Sequence, residues 1–140
     1  MKTSSSFYPH VVIIGGGFGG LRAARALATA PVRITLIDRR NYHLFQPLLY
    51  QVASAGLAPE EIAYPLRGIF RHQRNLTFVM AEVRQINLNE RTLLTSAGPI
   101  AYDYLILATG SATNTFGLRN VAKYGFGLKD IDEALAIRNH

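Results

Sequence analysis

Cysteine is absent from this chain of 140 residues. Its absence excludes disulfide frameworks, thiolate metal sites and dithiol redox chemistry within these residues. The four histidines are dispersed, and no acidic residue lies at ligand spacing from any of them, so the sequence predicts no metal site. A cytoplasmic location agrees best with this lack of cysteine.

Long hydrophobic runs are also absent. No stretch approaches the length of a membrane-spanning helix. Residues 1–9 are predicted to form a polar N-terminal tail, and the apolar residues after them run directly into glycines, so no signal-peptide h-region is recognised. The sequence therefore predicts contact with a membrane only from its surface, or through sequence outside this chain.

Acidic residues are few, with nine Asp and Glu against fifteen Lys and Arg, which gives a net charge of +6. This excess favours an anionic partner, such as a dinucleotide pyrophosphate or an anionic membrane surface. Nucleic acid is disfavoured, because the cations are scattered and the aromatic residues lie inside apolar runs instead of alternating with basic residues.

The first forty residues have the pattern of one βαβ unit. Residues 11–14, Val-Val-Ile-Ile, end at glycine, as is typical of a strand buried on both faces of a parallel sheet. Residues 21–30 are rich in helix formers and precede Pro31. Residues 32–37 form the next predicted strand, and Asp38 stands at its carboxyl end. Together they have the size of a βαβ unit, about 30 residues.

The simple alternation of strand and helix breaks in the second half of the chain. Residues 76–83 and 85–88 are predicted strands, and residues 91–95 form a returning strand after a tight turn. Residues 104–108 are an apolar strand that is expected to return to the parallel sheet beside the first strand. The predicted fold class is α/β, a Rossmann-like domain with a parallel sheet and an inserted antiparallel β-meander.

Residues 1–140 have the length of one domain, yet the last predicted element argues that this domain is incomplete. Asp130 and Glu133 have capping-box spacing before an apolar helix that is still running at His140. The sequence is therefore interpreted as the N-terminal part of a larger dinucleotide-binding domain.

The chemistry-bearing motif is residues 15–20, Gly-Gly-Gly-Phe-Gly-Gly, which match G-x-G-x-x-G between the first strand and the first helix. Gly15 permits the tight turn, Gly17 lets the backbone approach a pyrophosphate, and Gly20 lets the helix pack on the sheet. Asp38 is spaced to accept hydrogen bonds from both hydroxyls of an adenosine ribose. Five glycines in six positions exceed what a close strand–helix crossing alone requires. The motif predicts a dinucleotide and leaves NAD and FAD open.

Arg39 and Arg40, which follow Asp38, allow two interpretations. They could clamp a 2′-phosphate and select NADP. Two solvated arginines, one of them over the adenine, are the better interpretation while Asp38 is present.

Four segments carry a resemblance to a known family: residues 11–20, residues 43–53 (His-Leu-Phe-Gln-Pro-Leu-Leu-Tyr-Gln-Val-Ala), residues 102–110 with Ala-Thr-Gly, and residues 127–129. The chain resembles type II NADH:quinone oxidoreductases, which belong to the two-dinucleotide-domain flavoproteins. The resemblance covers almost the whole chain but only the N-terminal portion of such enzymes. The segment from residue 45 to residue 53 is its most specific part.

The resemblance implies that FAD occupies this first site. Its cofactor-binding residues would be Gly15, Gly16, Gly17, Phe18, Gly19 and Gly20 at the pyrophosphate, Asp38 at the ribose with Arg39 close by, Val83 at the adenine through its backbone, Thr109 and Gly110 beside the flavin, and Gln46 near the isoalloxazine. Core packing is the alternative for Val83 and for residues 45–50, and for Gln46 the two interpretations weigh equally.

The resemblance also implies that a hydride passes from NADH to the flavin and that electrons then pass to a membrane quinone. The NADH domain, the rest of the FAD domain and a C-terminal membrane-docking region would lie outside this chain. The complete enzyme would be peripheral on the cytoplasmic membrane face and could be a homodimer. The chain itself contains no recognisable catalytic acid or base, and alone it is expected to be inactive and poorly stable.

Three alternatives stay open. The first is a truncated, non-catalytic dinucleotide-binding module, and the second is another FAD-dependent NAD(P)H oxidoreductase of the same superfamily. A relative similar to sulfide:quinone reductases is the nearest of these, but its chemistry needs cysteines. The third alternative is a plain NAD-binding Rossmann domain.

Overall fold

The computed structural model describes residues 8–140. Most of the predicted polar tail, residues 1–7, lies outside the described residues. The chain forms two compact units. Unit 1 comprises the described residues up to Tyr42 together with Pro65–Gly110, and unit 2 comprises His43–Tyr64 and Ser111–His140.

In chain order, the elements of the described residues are β1 (His10–Ile14), α1 (Phe18–Ala26), β2 (Arg33–Asp38), β3 (Tyr42–Leu44), a 3-10 turn (Gln46–Leu48), α2 (Leu49–Ala53), a 3-10 turn (Pro59–Glu61), β4 (Ala63–Pro65), α3 (Leu66–Ile69), β5 (Leu76–Met80), β6 (Val83–Asn87), β7 (Thr92–Thr95), β8 (Gly98–Ala101), β9 (Tyr104–Leu107), α4 (Arg119–Tyr124) and α5 (Ile131–Asn139).

A four-stranded parallel sheet organises unit 1, with the order β5-β2-β1-β9. Strand β1 lies in its interior, and Val12 pairs with Thr35 on one side and Leu105 on the other. Val12 and Ile13 are completely buried, as a β-branched run between two neighbouring strands should be. The parallel sheet predicted from residues 11–14, 32–37 and 104–108 is confirmed.

The two faces of this sheet are covered by different elements. On one face, Ile13 and Leu36 pack with Ala24 of α1. On the other face, Val12 packs in a cluster that contains Leu93 of the meander and Tyr102. Because side chains alternate along a strand, neighbouring residues of β1 contribute to both cores.

The second sheet of unit 1 is the antiparallel meander β6-β7-β8. The insertion of such a meander is confirmed, but β8 was not predicted from the sequence. Gly98 and Pro99 are strand breakers in the sequence, and proline is tolerated here because β8 is an edge strand of its sheet. The pairing of β6 with β7 shifts register between Val83 and Gln85, which marks a β-bulge.

Unit 2 is built around helices α2 and α5. Its core joins Leu49 and Val52 of α2, Ile62, and Ala134 of α5, all of them nearly or completely buried. Strands β3 and β4 form a separate two-stranded sheet. The N-cap predicted for the last helix is present, since the Asp130 carboxylate accepts the Glu133 N–H at 3.0 Å.

The bounds of the first helix differ from the prediction over residues 21–30. The first helix begins at Phe18 and ends at Ala26, several residues before Pro31. The turn after Ala58 is a 3-10 turn of three residues, and α3 has only four residues. No helix among residues 8–140 combines the length and the apolar character that crossing a membrane requires.

Candidate functional site

A cavity of about 440 Å³ lies in unit 1 at the carboxyl ends of β1 and β2. Ligands of open α/β sheets bind in the crevice outside the carboxyl ends of the strands. The cavity lies wholly within unit 1 and is lined by Ile14, Gly15, Ile37, Asp38, Arg39, Ala81, Glu82, Val83, Arg84, Gln85, Ile86, Leu107 and Thr109.

The glycines of the turn at the cavity differ in the space that surrounds them. A Cβ at Gly15 would overlap the Ala108 carbonyl, and a Cβ at Gly20 would overlap the Gly15 carbonyl, so the fold itself requires both glycines. Gly15 also has a φ of 105°, in the left-handed region. A Cβ at Gly17, by contrast, would meet no protein atom within 4 Å. The space beside Gly17 is therefore open to a ligand.

Gly17 is also the N-cap of α1, whose first turn contains no acidic residue. The positive end of the helix dipole at this terminus favours an anion. The turn and the helix start are thus suited to a pyrophosphate without any Lys or Arg side chain.

Asp38 connects the end of β2 to the glycine turn. Its Oδ2 accepts the Gly16 N–H at 2.6 Å, and its Oδ1 accepts the Arg40 N–H at 2.9 Å. Its main-chain carbonyl accepts the Ala81 N–H at 2.9 Å, which brings the start of the meander segment to the same edge. An ionised carboxylate has about four acceptor sites, so two further hydroxyl donors can be accommodated.

The meander side of the cavity combines apolar and charged residues. The apolar residues Ile37 and Ala81 are 0% and 5% exposed, so they belong to the packed core beneath the cavity. Two arginines and two acids, Arg39, Arg84, Asp38 and Glu82, also line it.

The cavity brings together five of the residues predicted for cofactor binding, namely Gly15, Asp38, Arg39, Val83 and Thr109. Val83 also packs against the buried cluster on that face of the sheet, so core packing and cavity lining coexist at this residue. Phe18 is 47% exposed at the start of α1, and Gly110 follows the cavity residue Thr109 with a φ of 73°.

Gln46 belongs to unit 2. Its Nε2 donates to the Lys129 carbonyl at 3.0 Å, and Lys129 Nζ lies 3.2 Å from Ser111 Oγ. Residues 45–53 are the part of the chain most specific to the family resemblance. Among them, Leu49 and Val52 are core residues, whereas Tyr50 is exposed. The packing alternative weighed for residues 45–50 therefore holds for Leu49.

Sequence reasoning missed Glu82 and Arg84 as lining residues. Sequence patterns give no register for β6 against β7, and the bulge at Arg84 exists only in that pairing. As for metals, no group of three or more His, Asp or Glu in the described range 8–140 is arranged to hold an ion.

Comparison with known proteins assigns the chain to a family. Residues 9–140 match the family model described as pyridine nucleotide-disulphide oxidoreductase. The chain belongs to this family. It is 46% identical over 134 residues to the type II NADH:quinone oxidoreductase NdhA of Mycobacterium tuberculosis, covering 91% of this chain and 28% of that protein. It is 28% identical to a type II NADH:quinone oxidoreductase of Staphylococcus haemolyticus, covering 93% of this chain and 33% of that protein.

Solved structures of similar proteins share the fold. NDH2 from Plasmodium falciparum in complex with NADH superimposes with a TM-score of 0.83 at 31% identity, covering 93% of this chain and 28% of that chain. The sulfide:quinone oxidoreductase from Aquifex aeolicus gives a TM-score of 0.84 at 31% identity, covering 94% of this chain and 31% of that chain.

These matches confirm the resemblance to type II NADH:quinone oxidoreductases and the flavoprotein-type α/β fold. The chain spans between 28% and 33% of the length of the two curated relatives described above.

Proposed function

We propose that the cavity of unit 1 binds the adenosine diphosphate half of FAD, and that the chain is the FAD-binding portion of an NADH:quinone oxidoreductase. One observation carries this proposal. The position of a Gly17 Cβ is open, although the neighbouring required glycines, Gly15 and Gly20, have no room for one. A glycine that the protein's own packing does not demand is explained by a ligand that approaches its backbone.

Different residues of unit 1 bind different parts of the cofactor. The turn of residues 15–20 and the start of α1 hold the pyrophosphate through N–H groups. Asp38 accepts the ribose hydroxyls with the acceptor capacity that Gly16 and Arg40 leave free. Val83, which lines the cavity, meets the adenine through its backbone.

The remaining cofactor assignments belong to the flavin end. Thr109 and Gly110 lie beside the flavin, and Gln46 lies near the isoalloxazine, its side-chain amide oriented by the Lys129 carbonyl. FAD, when bound, supplies the acceptor for a hydride from NADH and the donor of electrons to a quinone. The residues of this chain bind and orient it, and none of them is proposed as an acid or base.

NADH, the quinone, a peripheral membrane contact and a homodimer belong to the proposed complete enzyme. Proteins named for NADH:quinone activity support the choice of reaction, at up to 46% identity. The matched sulfide:quinone oxidoreductase favours a second candidate with sulfide as the electron donor. Its chemistry needs cysteines, and this chain has none.

Flavin binding is tested with Gly17→Val in the purified chain. We expect the variant to fold, because the added side chain meets no protein atom within 4 Å at its Cβ, and to lose FAD, because the side chain fills the path of the pyrophosphate. Flavin absorbance and FAD titration measure the loss, and circular dichroism checks the fold.

Gly68→Val is the matched control. Gly68 is exposed, and its Cβ would make only an ordinary contact with Pro65, so this variant should retain FAD. Stoichiometric FAD in folded Gly17→Val would contradict the assignment of the glycine turn.

Enzymatic function is tested on the product of the complete coding sequence. A second strand–glycine–helix unit after His140, with NADH-dependent quinone reduction in the purified protein, supports the oxidoreductase. Sulfide-dependent reduction without NADH activity supports the second candidate. A stop codon directly after His140, with FAD binding and no turnover, supports the non-catalytic module.

A further inference from the structure

Helix α4 is amphipathic, yet none of its six residues is buried. Val121 and Tyr124 of α4 and its N-cap residue Leu118 follow one another at a spacing of three, which places them on one side of the helix. They are 47%, 69% and 58% exposed. Arg119 and Lys123 lie four residues apart on the opposite side. A surface helix normally packs its apolar side on the core, and among the described residues α4 has no such cover.

The residues on both sides of α4 add to this exposed apolar surface. Phe116 is 84% exposed, and Phe126 and Leu128 are exposed as well. The Phe126 ring lies beside that of His140, at a centroid distance of 5.2 Å. Residues 116–128 are called the apolar segment below, and all of them belong to unit 2. Exposed apolar residues concentrated in this way mark a contact with a partner or a membrane.

The charges around the apolar segment have one sign. Residues 104–129 contain no Asp or Glu, whereas they contain Arg119, Lys123 and Lys129. Lys123 Nζ lies 4.9 Å from the centre of the Tyr124 ring, a contact that does not neutralise its charge. Helices that lie in the interface of a membrane combine an apolar side with Lys and Arg in this way. The partner that complements the segment is therefore both apolar and anionic.

We propose that the apolar segment is a membrane-binding surface, with its exposed apolar side chains among the headgroups of an anionic bilayer and its cations at the lipid phosphates. A symmetric second copy of the chain fits less well, because it would bring the same cations together. Such a surface goes beyond the proposed function, because it requires no bound flavin.

The test measures the partition of the purified chain into lipid vesicles by co-sedimentation. Vesicles made of equal parts of phosphatidylcholine and phosphatidylglycerol should bind the chain. Vesicles of phosphatidylcholine alone should bind it more weakly, because they carry no net charge. Raised salt should weaken binding to the mixed vesicles, since it screens the cations.

Two double variants separate the apolar segment from the net charge of +6, which by itself attracts anionic vesicles. Leu118→Gln with Val121→Gln removes apolar area at constant charge and should weaken the partition about tenfold. Arg119→Gln with Lys123→Gln should weaken it about fivefold for each cation. All four residues are exposed, so circular dichroism should show an unchanged fold.

The matched controls lie in unit 1, outside the apolar segment. Leu88 is 74% exposed, so Leu88→Gln should bind the mixed vesicles as the unmodified chain does. Arg22→Gln with Arg74→Gln removes two exposed cations and should weaken binding less than Arg119→Gln with Lys123→Gln.

Several outcomes would overturn the membrane-binding surface: no binding of the unmodified chain to the mixed vesicles, equal losses in the two charge variants, or no loss in the apolar variant. A dimer in analytical ultracentrifugation that the apolar variant abolishes, without vesicle binding, would assign the segment to a second copy. Vesicle binding that the product of the complete coding sequence lacks would assign its cover to a longer chain. FAD titration tests the proposed function separately, because the cavity residues belong to unit 1.

Discussion

Single residues of this protein serve the fold and the predicted site together, and Asp38 is the clearest case. Its spacing from the glycine motif predicted ribose recognition. The structure adds that its carboxylate accepts the main-chain N–H groups of Gly16 and Arg40. The turn that is proposed to hold the pyrophosphate is thus fixed by the same side chain that is proposed to hold the ribose.

Asp38→Asn tests this double role. An amide offers one oxygen and an NH2 group, so one of the two N–H groups, of Gly16 or Arg40, loses its acceptor. We expect a loss of about 1–3 kcal/mol in the free energy of unfolding, together with weaker ADP binding. Urea denaturation and calorimetry measure the two effects.

Glu90→Gln is the control for Asp38→Asn, because it removes the same charge at an exposed turn position. Weaker ADP binding by Asp38→Asn with unchanged stability would leave the ribose role and refute the structural one. Unchanged stability and unchanged binding would refute both.

At the scale of the elements, the start of β1 joins β2 and the segment before β9 through His10. Its ring Nε2 lies 2.8 Å from Thr35 Oγ1, and its main-chain N–H donates to Asp103 Oδ2 at 2.6 Å. Burial lowers the pKa of His10 below its usual 6.5, and the charge of Arg33 lowers it further. A bond with the Ala101 backbone and the charge of Asp103 oppose these effects.

The lowered pKa of His10 predicts a pH dependence of stability. The folded state binds the imidazole proton less readily than the unfolded state, so this contribution is complete above the unfolded value of 6.5 and is lost as pH falls through the folded pKa. The free energy of unfolding should therefore decline as pH falls below about 6.5. His10→Gln should decline less, as measured by urea denaturation at each pH. Equal slopes in the two proteins would contradict the assignment to His10.

Strands were predicted correctly where the apolar pattern was strong. A strand was missed where its pairing depends on its position in the sheet. The apolar run of β1 identified a strand, because a strand buried on both faces needs continuous apolar residues. The apolar run of β9 identified a strand as well, although Tyr104 and Leu107 are exposed at this edge of the sheet. Gly98 and Pro99 concealed β8, since only its position at the edge of the meander makes proline acceptable.

At the scale of the whole molecule, the residues predicted for cofactor binding belong to two units, each with its own core. The cavity residues all belong to unit 1, whereas Gln46 belongs to unit 2. The single domain predicted from chain length stays a prediction, as does poor stability of the isolated chain. Exposed apolar side chains such as Tyr104, Leu107 and Phe116 give that second prediction its physical basis.

Leu49→Ala and Leu36→Ala test whether the nucleotide site depends on unit 1 alone. Leu49 is 1% exposed in the core of unit 2 and Leu36 is fully buried in that of unit 1, so each truncation should cost about 2–5 kcal/mol in its own unit. Hydrogen exchange measured by mass spectrometry would locate the destabilised unit.

We expect Leu49→Ala to bind ADP with the original dissociation constant, because all residues that line the cavity belong to unit 1. Leu36→Ala should weaken ADP binding, since part of the population no longer has a folded unit 1. Loss of ADP binding in Leu49→Ala, with unit 1 still protected from exchange, would contradict this division.

The sequence by itself determined the strand–glycine–helix–strand unit, the acid at the end of β2 and the family, because these depend on short-range periodicity, turn chemistry and local motifs. Tertiary structure alone decided which residues meet at the cavity. The register shift between β6 and β7 arises from strand pairing, and the hydrogen bond from Gly16 to Asp38 arises from contact between segments distant in sequence. Such contacts follow from how the two sheets and α1 pack together, and no local pattern in the chain encodes them.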